Sequence, residues 1–458
     1  MKLRIEKAIY GGAGLARAEG KAIFVPLTLP GEVVEAHVTE DRGSYANAEL
    51  DSVLEASSER VQAACSYFGE CGGCHYQHAR YAEQIEMKAG IVRETLKRAH
   101  VKEIPPIAVL QGEPLGYRNR VRLHVDPATS MLCYRRRGSH ANLAVHACPI
   151  AAPVLEEALK AVQGHAREWR LGEQFEEVEF FTDAAESGIL LTLWSGRGKN
   201  DAKGDLGRLW PEVSAAIPKL SGATVLSVEQ GRRPGGLLAQ EGEQALTYKA
   251  AGEDYRVSAG SFFQVNRLLV DPLVELVMKE ASDAKRSSTK RSGAKRSDMV
   301  AWDLYAGVGL FARALAARFE TVVAVEAAAN SVRDLTFNLG FSREFSRGHD
   351  AGGGPHRVVA AGTLEFLRRA RLGKLARPNL VVPDFVVVDP PRAGLGKEVT
   401  ALLAGIRPAH ITYVSCDPAT LSRDLKSLLD SGYHLTNMHV VDLFPQTFHL
   451  ESVAMLSL

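Results

Sequence analysis

Several short stretches of this chain carry residue types that can do chemistry. Cys65-Ser66-Tyr67-Phe68-Gly69-Glu70-Cys71-Gly72-Gly73-Cys74 places three thiols at C-x5-C-x2-C spacing, and its paired glycines let the backbone turn tightly around a bound centre. Cys148, in His146-Ala147-Cys148-Pro149, is the natural fourth ligand. Four thiolates with a distant Cys-Pro suit an iron–sulfur cluster, because ferredoxin-type sites also combine C-x2-C steps with a Cys-Pro. Structural zinc is the competing reading, although zinc more often uses two short knuckles. A second chemistry belongs to Cys416, which follows the apolar run His410–Ser415 and precedes Asp417-Pro418. Pro418 opens a helix there, so the helix N-terminus favours a thiolate able to attack. Glu451 is the only carboxylate after Asp442 and precedes an apolar strand, which makes it either a proton acceptor or a solvated turn residue. Cys133, the last of the six cysteines, lies in Met131-Leu132-Cys133-Tyr134 and reads as a small core hydrophobe.

Two further loops point to a ligand. Asp303-Leu304-Tyr305-Ala306-Gly307-Val308-Gly309-Leu310-Phe311 runs from a strand through a G-x-G turn into a helix, so the backbone can approach a ligand closely. Glu326 ends the next strand, where an acid accepts both hydroxyls of a ribose. Ala312 stands at the third glycine position of a dinucleotide fingerprint, which leaves a dehydrogenase possible but suits a nucleoside better. Asp389-Pro390-Pro391 makes a stiff turn that holds a carboxylate outward at a strand end, where it can accept a hydrogen bond from a base.

These residues need elements to hold them. The apolar runs at 300–304, 321–325, 358–361, 385–388, 410–415, 435–443 and 452–457 alternate at first with helices, and the last two follow each other directly. That pattern predicts an α/β fold with a doubly wound, Rossmann-like sheet and one antiparallel edge element. Residues 1–58 are short strand-like runs broken by glycines and predict a small antiparallel barrel. Residues 59–260 form a central β-rich domain holding the cysteines, with Tyr81 to about His100 as an amphipathic helix (Ile85, Ala89, Val92, Leu96), and 261–458 form the third domain. Lys-Arg-Ser recurs at 285, 290 and 295, so about 283–298 reads as a disordered basic insertion, either a tolerated loop or a tether for RNA.

Bulk composition excludes more than it identifies. Lys+Arg 55 against Asp+Glu 54 gives a net charge of +1, so any basic surface is local. Residues 98–140 carry 8 Lys+Arg against 3 acids, including Arg118, Arg120, Arg122 and Arg135-Arg136-Arg137, and are either a candidate RNA-facing surface or an ordinary solvated face; residues 1–60 are acidic, 7 against 10. No apolar run approaches a membrane span and the first residues lack a secretory h-region, which predicts a cytoplasmic, monomeric protein with no membrane contact.

Together these motifs resemble one family, the RNA uracil-C5 methyltransferases, in their bacterial iron–sulfur branch acting on large-subunit ribosomal RNA. Tyr10-Gly-Gly-Ala-Gly-Leu-Ala16 through Pro30-Gly31-Glu32 resembles the family's TRAM RNA-binding barrel, and Cys65, Cys71, Cys74 and Cys148 match its [4Fe-4S] ligands, a structural cluster. Ser261-Phe-Phe-Gln264-Val-Asn266 resembles its cofactor-contacting segment. The resemblance thus implies S-adenosylmethionine as cofactor, with Gln264, Tyr305, Glu326 and Asp389 as cofactor or base contacts. It implies Cys416 in Ser415-Cys416-Asp-Pro-Ala-Thr as the nucleophile, and Glu451 in Phe444-Pro-Gln-Thr-x-His449-x-Glu451 as the base. The chain departs from the pattern at Leu310 and Thr363, where members often carry Asn, and at Asp417.

The chemistry so implied is attack of the Cys416 thiolate at C6 of uracil, methylation at C5, and removal of the C5 proton by Glu451, on a flipped or single-stranded uridine of 23S ribosomal RNA. A transfer-RNA substrate is the alternative. A radical methylthiotransferase needs a C-x3-C-x2-C triad that this chain lacks, and a catalytically silent RNA-binding or assembly factor would have no need of Cys416 and Glu451.

Overall fold

Apart from the first half of His434–Val441, the apolar runs beyond Met299 are largely buried on both faces, which is the condition for parallel pairing with helices above and below. In the computed structural model, which describes residues 1–196, 202–228, 234–292, 299–340, 355–373 and 382–458, they form the centre of an eight-stranded sheet. Its order is Arg357–Ala360, Thr321–Glu326, Val300–Leu304, Phe385–Val388, His410–Ser415, Glu451–Ser457, His434–Val441, Ile107–Leu110. The first five strands are mutually parallel. Side chains alternate between two cores as the pleat requires: Ala301, Val322, Phe385 and Val387 face the helices Val270–Ser292 and Leu310–Ala316, while Trp302, Val323, Val386 and Tyr413 face Thr363–Arg371, Gly396–Ile406 and Pro418–Asp430.

Three expectations are corrected here. The antiparallel strand is not at the edge: Glu451–Ser457 inserts between His410–Ser415 and His434–Val441, antiparallel to both. The edge belongs to Ile107–Leu110, which pairs in parallel with His434–Val441, so part of the stretch 59–260 is built into the third domain's sheet. The helix Tyr81–Arg98 goes with it, because Ile91, Val92 and Leu96 find their burial in that sheet's second core. The helix Val270–Ser292 runs through the first part of the presumed disordered insertion, since Lys, Arg and Ala are good helix formers and no Gly or Pro intervenes before Gly293; residues 293–298 lie outside the described ones.

The central region is β-rich as expected, with seven strands in the order Asn142–Ala144, Leu132–Arg135, Arg120–Val125, Glu177–Thr182, Ile189–Ser195, Leu220–Val228, Pro234–Gly242, and helices Pro153–His165 and Ala202–Ala216 share its core. The N-terminal unit is a six-stranded sheet around Leu3, Ile23, Val25, Val34 and Ala46. It closes on itself where the first strand breaks: Gly31 donates to the Ile5 carbonyl, Ile5 to Glu32, and Glu6 to Leu15. The pairing is antiparallel except that Lys21–Pro26 runs parallel to Tyr45–Glu55, a further correction. Among the described residues no helix is long and apolar enough to cross a membrane.

Glu32 ties this barrel to the chain beyond it. Its buried carboxylate accepts from Arg60 Nε (2.6 Å) and Nη2 (2.8 Å), from Leu29 N (2.8 Å) and from Ser57 N (3.2 Å). Burial alone would raise this carboxyl; the Arg60 bond and the two backbone N–H groups outweigh burial and hold it below its ordinary range. A depressed carboxyl stabilises the fold above its unfolded pKa and loses that contribution as pH falls through the folded value. Arg60→Ala is therefore expected to cost about 2–3 kcal/mol at pH 7, a difference that shrinks below about pH 4, as read by denaturant unfolding at the two pH values.

Candidate active site

Val300–Leu304 and Phe385–Val388 are neighbours in the sheet although far apart in the chain, so their connections leave in opposite directions and open a crevice at the carboxyl edge. Tyr305 follows the first strand, Asp389 the second and Cys416 the next. Glu451–Ser457 runs the other way and therefore begins at this same edge. With Ser415 paired to Ser452, Glu451 comes level with Cys416. All six residues expected to act on substrate or cofactor, Gln264, Tyr305, Glu326, Asp389, Cys416 and Glu451, line one cavity of about 580 Å³.

Local structure explains how each is held. Tyr305 adopts a left-handed conformation (φ 68°), unusual for a bulky residue and found where the chain leaves the strand into the cavity wall. Gly309 sits at φ 95°, a conformation that strains any residue with a side chain, and a Cβ there would also push against Leu335 Cδ1 at 2.7 Å. Glu326 is locked by Gly307 N (2.9 Å) on one oxygen and by Ala327 N (2.8 Å) and Ala328 N (2.7 Å) on the other, so its carboxylate faces the Gly307 turn. Gln264 donates from Nε2 to Asp389 Oδ2 (3.2 Å), while Asn119 Nδ2 donates to its carbonyl (2.9 Å). Buried Asp334 accepts from Ser258 N, Ser258 Oγ and Ser261 Oγ, fixing the segment that leads to Gln264. Of the departures noted above, Leu310 lines the cavity, whereas Thr363 is buried at the start of its helix.

The electrostatics are those of protons kept in a dry place. Burial pushes Asp389 up to about 7, with Gln264 opposing. Glu451, buried, lies well above the ordinary carboxyl range, first because of that burial and then because of the nearby Asp389 carboxyl. Cys416 is pushed up to about 12 by burial, then by Glu451 and Asp389, with Arg392 opposing. The expectation that the helix N-terminus would favour a Cys416 thiolate is corrected: Asp417 caps that helix, its Oδ1 accepting from Ala419 N (3.0 Å) and Thr420 N (2.9 Å), so those donors are taken. The site as it stands holds a thiol beside a pair of carboxyls that compete for protons.

The other predicted groups separate into two outcomes. Cys65, Cys71, Cys74 and Cys148 line one smaller cavity with Arg118 and Tyr134, and all four are unpaired thiols. Among the described residues, however, no His, Cys, Asp or Glu side chains form a group that could hold a metal ion as they stand. Cys133 is buried in the core. Of the charges in 98–140, Arg120 and Arg122 are engaged with largely buried acids, whereas Arg98, Lys102 and Arg136 stay at the surface. Arg120 bonds Glu179 (3.0 Å) and lies over Phe181, Arg122 pairs with Glu177 over Trp194, Arg136 bonds Glu70 (2.6 Å), and Arg118 sits at the cysteine cavity. Sequence reasoning passed over Tyr10, whose hydroxyl donates to the Cys416 carbonyl (3.4 Å), and Lys88 and Gln84, which hold the loop before Glu451. No spacing signal marks any of them.

A carboxyl raised by burial stabilises the fold while protonated, and that contribution is lost as pH climbs from the ordinary carboxyl range through the folded value. Glu451→Gln should therefore raise Tm at pH 8 by about 3 °C or more and change it little at pH 4, as followed by calorimetry. A Tm at pH 8 no higher than that of the unsubstituted protein would contradict the raised carboxyl.

Comparison with known proteins agrees with this geometry. Residues 365–458 match the family model described as tRNA (uracil-5-)-methyltransferase, and residues 1–50 match the TRAM domain. An uncharacterized RNA methyltransferase of Streptomyces avermitilis is 32% identical, covering 99% of this chain and 97% of the relative. The Vibrio parahaemolyticus protein named 23S rRNA (uracil(1939)-C(5))-methyltransferase RlmD is 29% identical over 99% of this chain and 95% of its own length. The crystal structure of Pyrococcus abyssi tRNA (uracil-54, C5)-methyltransferase in complex with S-adenosyl-L-homocysteine shares the fold with a TM-score of 0.71, at 21% identity and covering 99% of both chains. With its full length aligned to an RNA methyltransferase and its terminal part matched to the uracil-5 model, the chain belongs to the RNA uracil-C5 methyltransferase family.

Proposed function

We infer that this chain uses S-adenosylmethionine to methylate C5 of a uridine in 23S ribosomal RNA, with Cys416 as nucleophile and Glu451 as base. The observation that carries the assignment is the meeting of a thiol and a buried carboxyl on adjacent strands at one cavity, above the crevice where Glu326 faces the glycine turn. Relatives aligned along the whole chain and named for 23S rRNA favour a ribosomal substrate.

Uracil C5 is a weak nucleophile, and the side chains supply what it lacks. The Cys416 proton passes to a neighbouring carboxylate, and the sulfur bonds C6, shifting the C5–C6 π pair into an enolate. When bound, S-adenosylmethionine would supply the methyl group to the electron-rich C5, the S–CH3 pair staying on its sulfur, which leaves as a neutral thioether. Glu451 then removes the C5 proton, the C–H pair restores the C5–C6 double bond, and the S–C6 bond breaks with its pair returning to Cys416. Asp389, joined to Gln264, holds the base, and Tyr305 and Glu326 hold the cofactor.

Cys65, Cys71, Cys74 and Cys148 would hold a [4Fe-4S] cluster that ties the segment before Tyr76 to the strand region around Cys148, a structural role. The donor set fits: the four sulfurs share one cavity with largely apolar walls, Gly73 N donates to Cys71 Sγ (3.4 Å) and the Tyr134 hydroxyl to Cys148 Sγ (3.7 Å), contacts that favour thiolate ligands. We assign residues 1–58 to the RNA-contacting barrel, 59–260 to the cluster-bearing unit and 261–458 to catalysis, with Tyr81–Leu110 lent to the catalytic sheet.

RNA carrying 5-fluorouridine tests the chemistry, because fluorine at C5 cannot leave as a proton. A covalent complex that needs both Cys416 and S-adenosylmethionine is expected, and its absence would refute the nucleophile. Cys71→Ala should lose iron and soluble yield; a folded, iron-free variant that methylates normally would remove the cluster.

A further inference from the structure

The reaction above makes no use of Lys88, yet its ammonium is wholly buried, a rare placement for lysine. Nζ donates to Asp442 Oδ1 (2.6 Å) and to the Phe444 carbonyl (2.9 Å). One turn earlier on the same helix face, Gln84 donates from Nε2 to Gln446 Oε1 (2.9 Å) and accepts from Gln446 N (2.9 Å). Gln446 is left-handed (φ 69°), so the loop is gripped where it bends most sharply. Its carbonyl accepts from His75 N (2.8 Å) and Tyr76 N (3.0 Å), and the Tyr117 hydroxyl donates to the Pro445 carbonyl (3.0 Å).

The ion pair stands at the root of a hairpin whose other foot is the base. Val441 is the register partner of Glu451, and Asp442 is the next residue along. Asp442 N donates to the Leu110 carbonyl (2.8 Å), so edge strand, helix and hairpin meet at this point. Phe444, whose carbonyl Lys88 holds, lines the same cavity as Glu451.

We propose that Lys88 is a positioning residue for the base: by fixing Asp442 and Phe444 it sets Glu451 where it can take the proton from C5 of the methylated ring. This rests on the assignment of Cys416 and Glu451 made above. Its consequence is chemically specific. Attack by Cys416 and methyl transfer come before proton removal, so a displaced Glu451 leaves the C5–H and S–C6 bonds intact, and the protein stays joined to its methylated RNA. A purely structural lysine would cost all steps alike.

Lys88→Met alone leaves Asp442 charged and buried without its partner, so the decisive protein is the double variant Lys88→Met/Asp442→Leu, which removes both charges together. Full-length protein, S-adenosylmethionine and an ordinary uridine-containing RNA are mixed, and turnover is compared with covalent complex on a denaturing gel. The expected result is a fall in turnover of about a hundredfold, one methyl incorporated per chain, and a covalent complex far above that of the unsubstituted enzyme, with Lys88→Arg restoring part of the turnover. Normal turnover, or lost turnover with no complex, overturns the proposal. Fluorouridine RNA with the unsubstituted enzyme separates the two levels. No complex there removes the role of Cys416, whereas a complex there beside a normally active double variant removes only that of Lys88.

Discussion

Everything at the catalytic edge depends on one reversal of chain direction. Five parallel strands can bring only their C-terminal loops to a shared edge, and each loop must then reach over its own helix. Glu451–Ser457 is inserted antiparallel, so its first residue arrives at that edge from within the sheet. The ladder hydrogen bonds on both sides fix it there, beside His410–Ser415 and His434–Val441. A carboxyl is thus delivered opposite Cys416 with the rigidity of a strand rather than that of a loop.

That precision conflicts with the stability of the site. Asp389, Glu451 and Asp303 are buried close together, and burial pushes Asp303 up to about 8. Charged carboxyls in such a place oppose folding, and the surrounding structure compensates. The Lys88–Asp442 pair is buried at the foot of the hairpin, and breaking such a pair typically costs about 3–5 kcal/mol. The barrel adds a third wall: Tyr10 meets Phe448 edge-on at 5.5 Å, and its hydroxyl holds the Cys416 carbonyl. First and last parts of the chain therefore share one active site.

The sheet and the reactive residues were legible because they are local. Strand–helix alternation, the glycine turn, Asp389-Pro390-Pro391 and Ser415-Cys416-Asp417 each announce themselves within a few residues. Direction and neighbourhood were not, since pairing order depends on contacts across the whole chain. Ile107–Leu110 is an unremarkable four-residue run, and nothing in it marks a strand of a sheet formed mostly beyond residue 299. Arg120 and Arg122 read as part of a basic face until Glu179 and Glu177 are seen opposite them. Lys88 was passed over, because a buried partner far along the chain leaves no trace in periodicity. The thiolate expected at Cys416 failed for a non-local reason, since its burial and the Glu451 and Asp389 carboxyls that push it up come from the folded neighbourhood.

The edge strand Ile107–Leu110 carries a consequence for how the molecule comes into being. Among the described residues its only ladder partner is His434–Val441, which the ribosome makes long after it, and long-range parallel pairing is slow to form. Until that partner is made, the Ile-Ala-Val-Leu run is an open strand edge, a template for association with other chains. The hairpin that closes it is the one that bears Glu451, so satisfying that exposed edge and completing the catalytic centre are a single folding event.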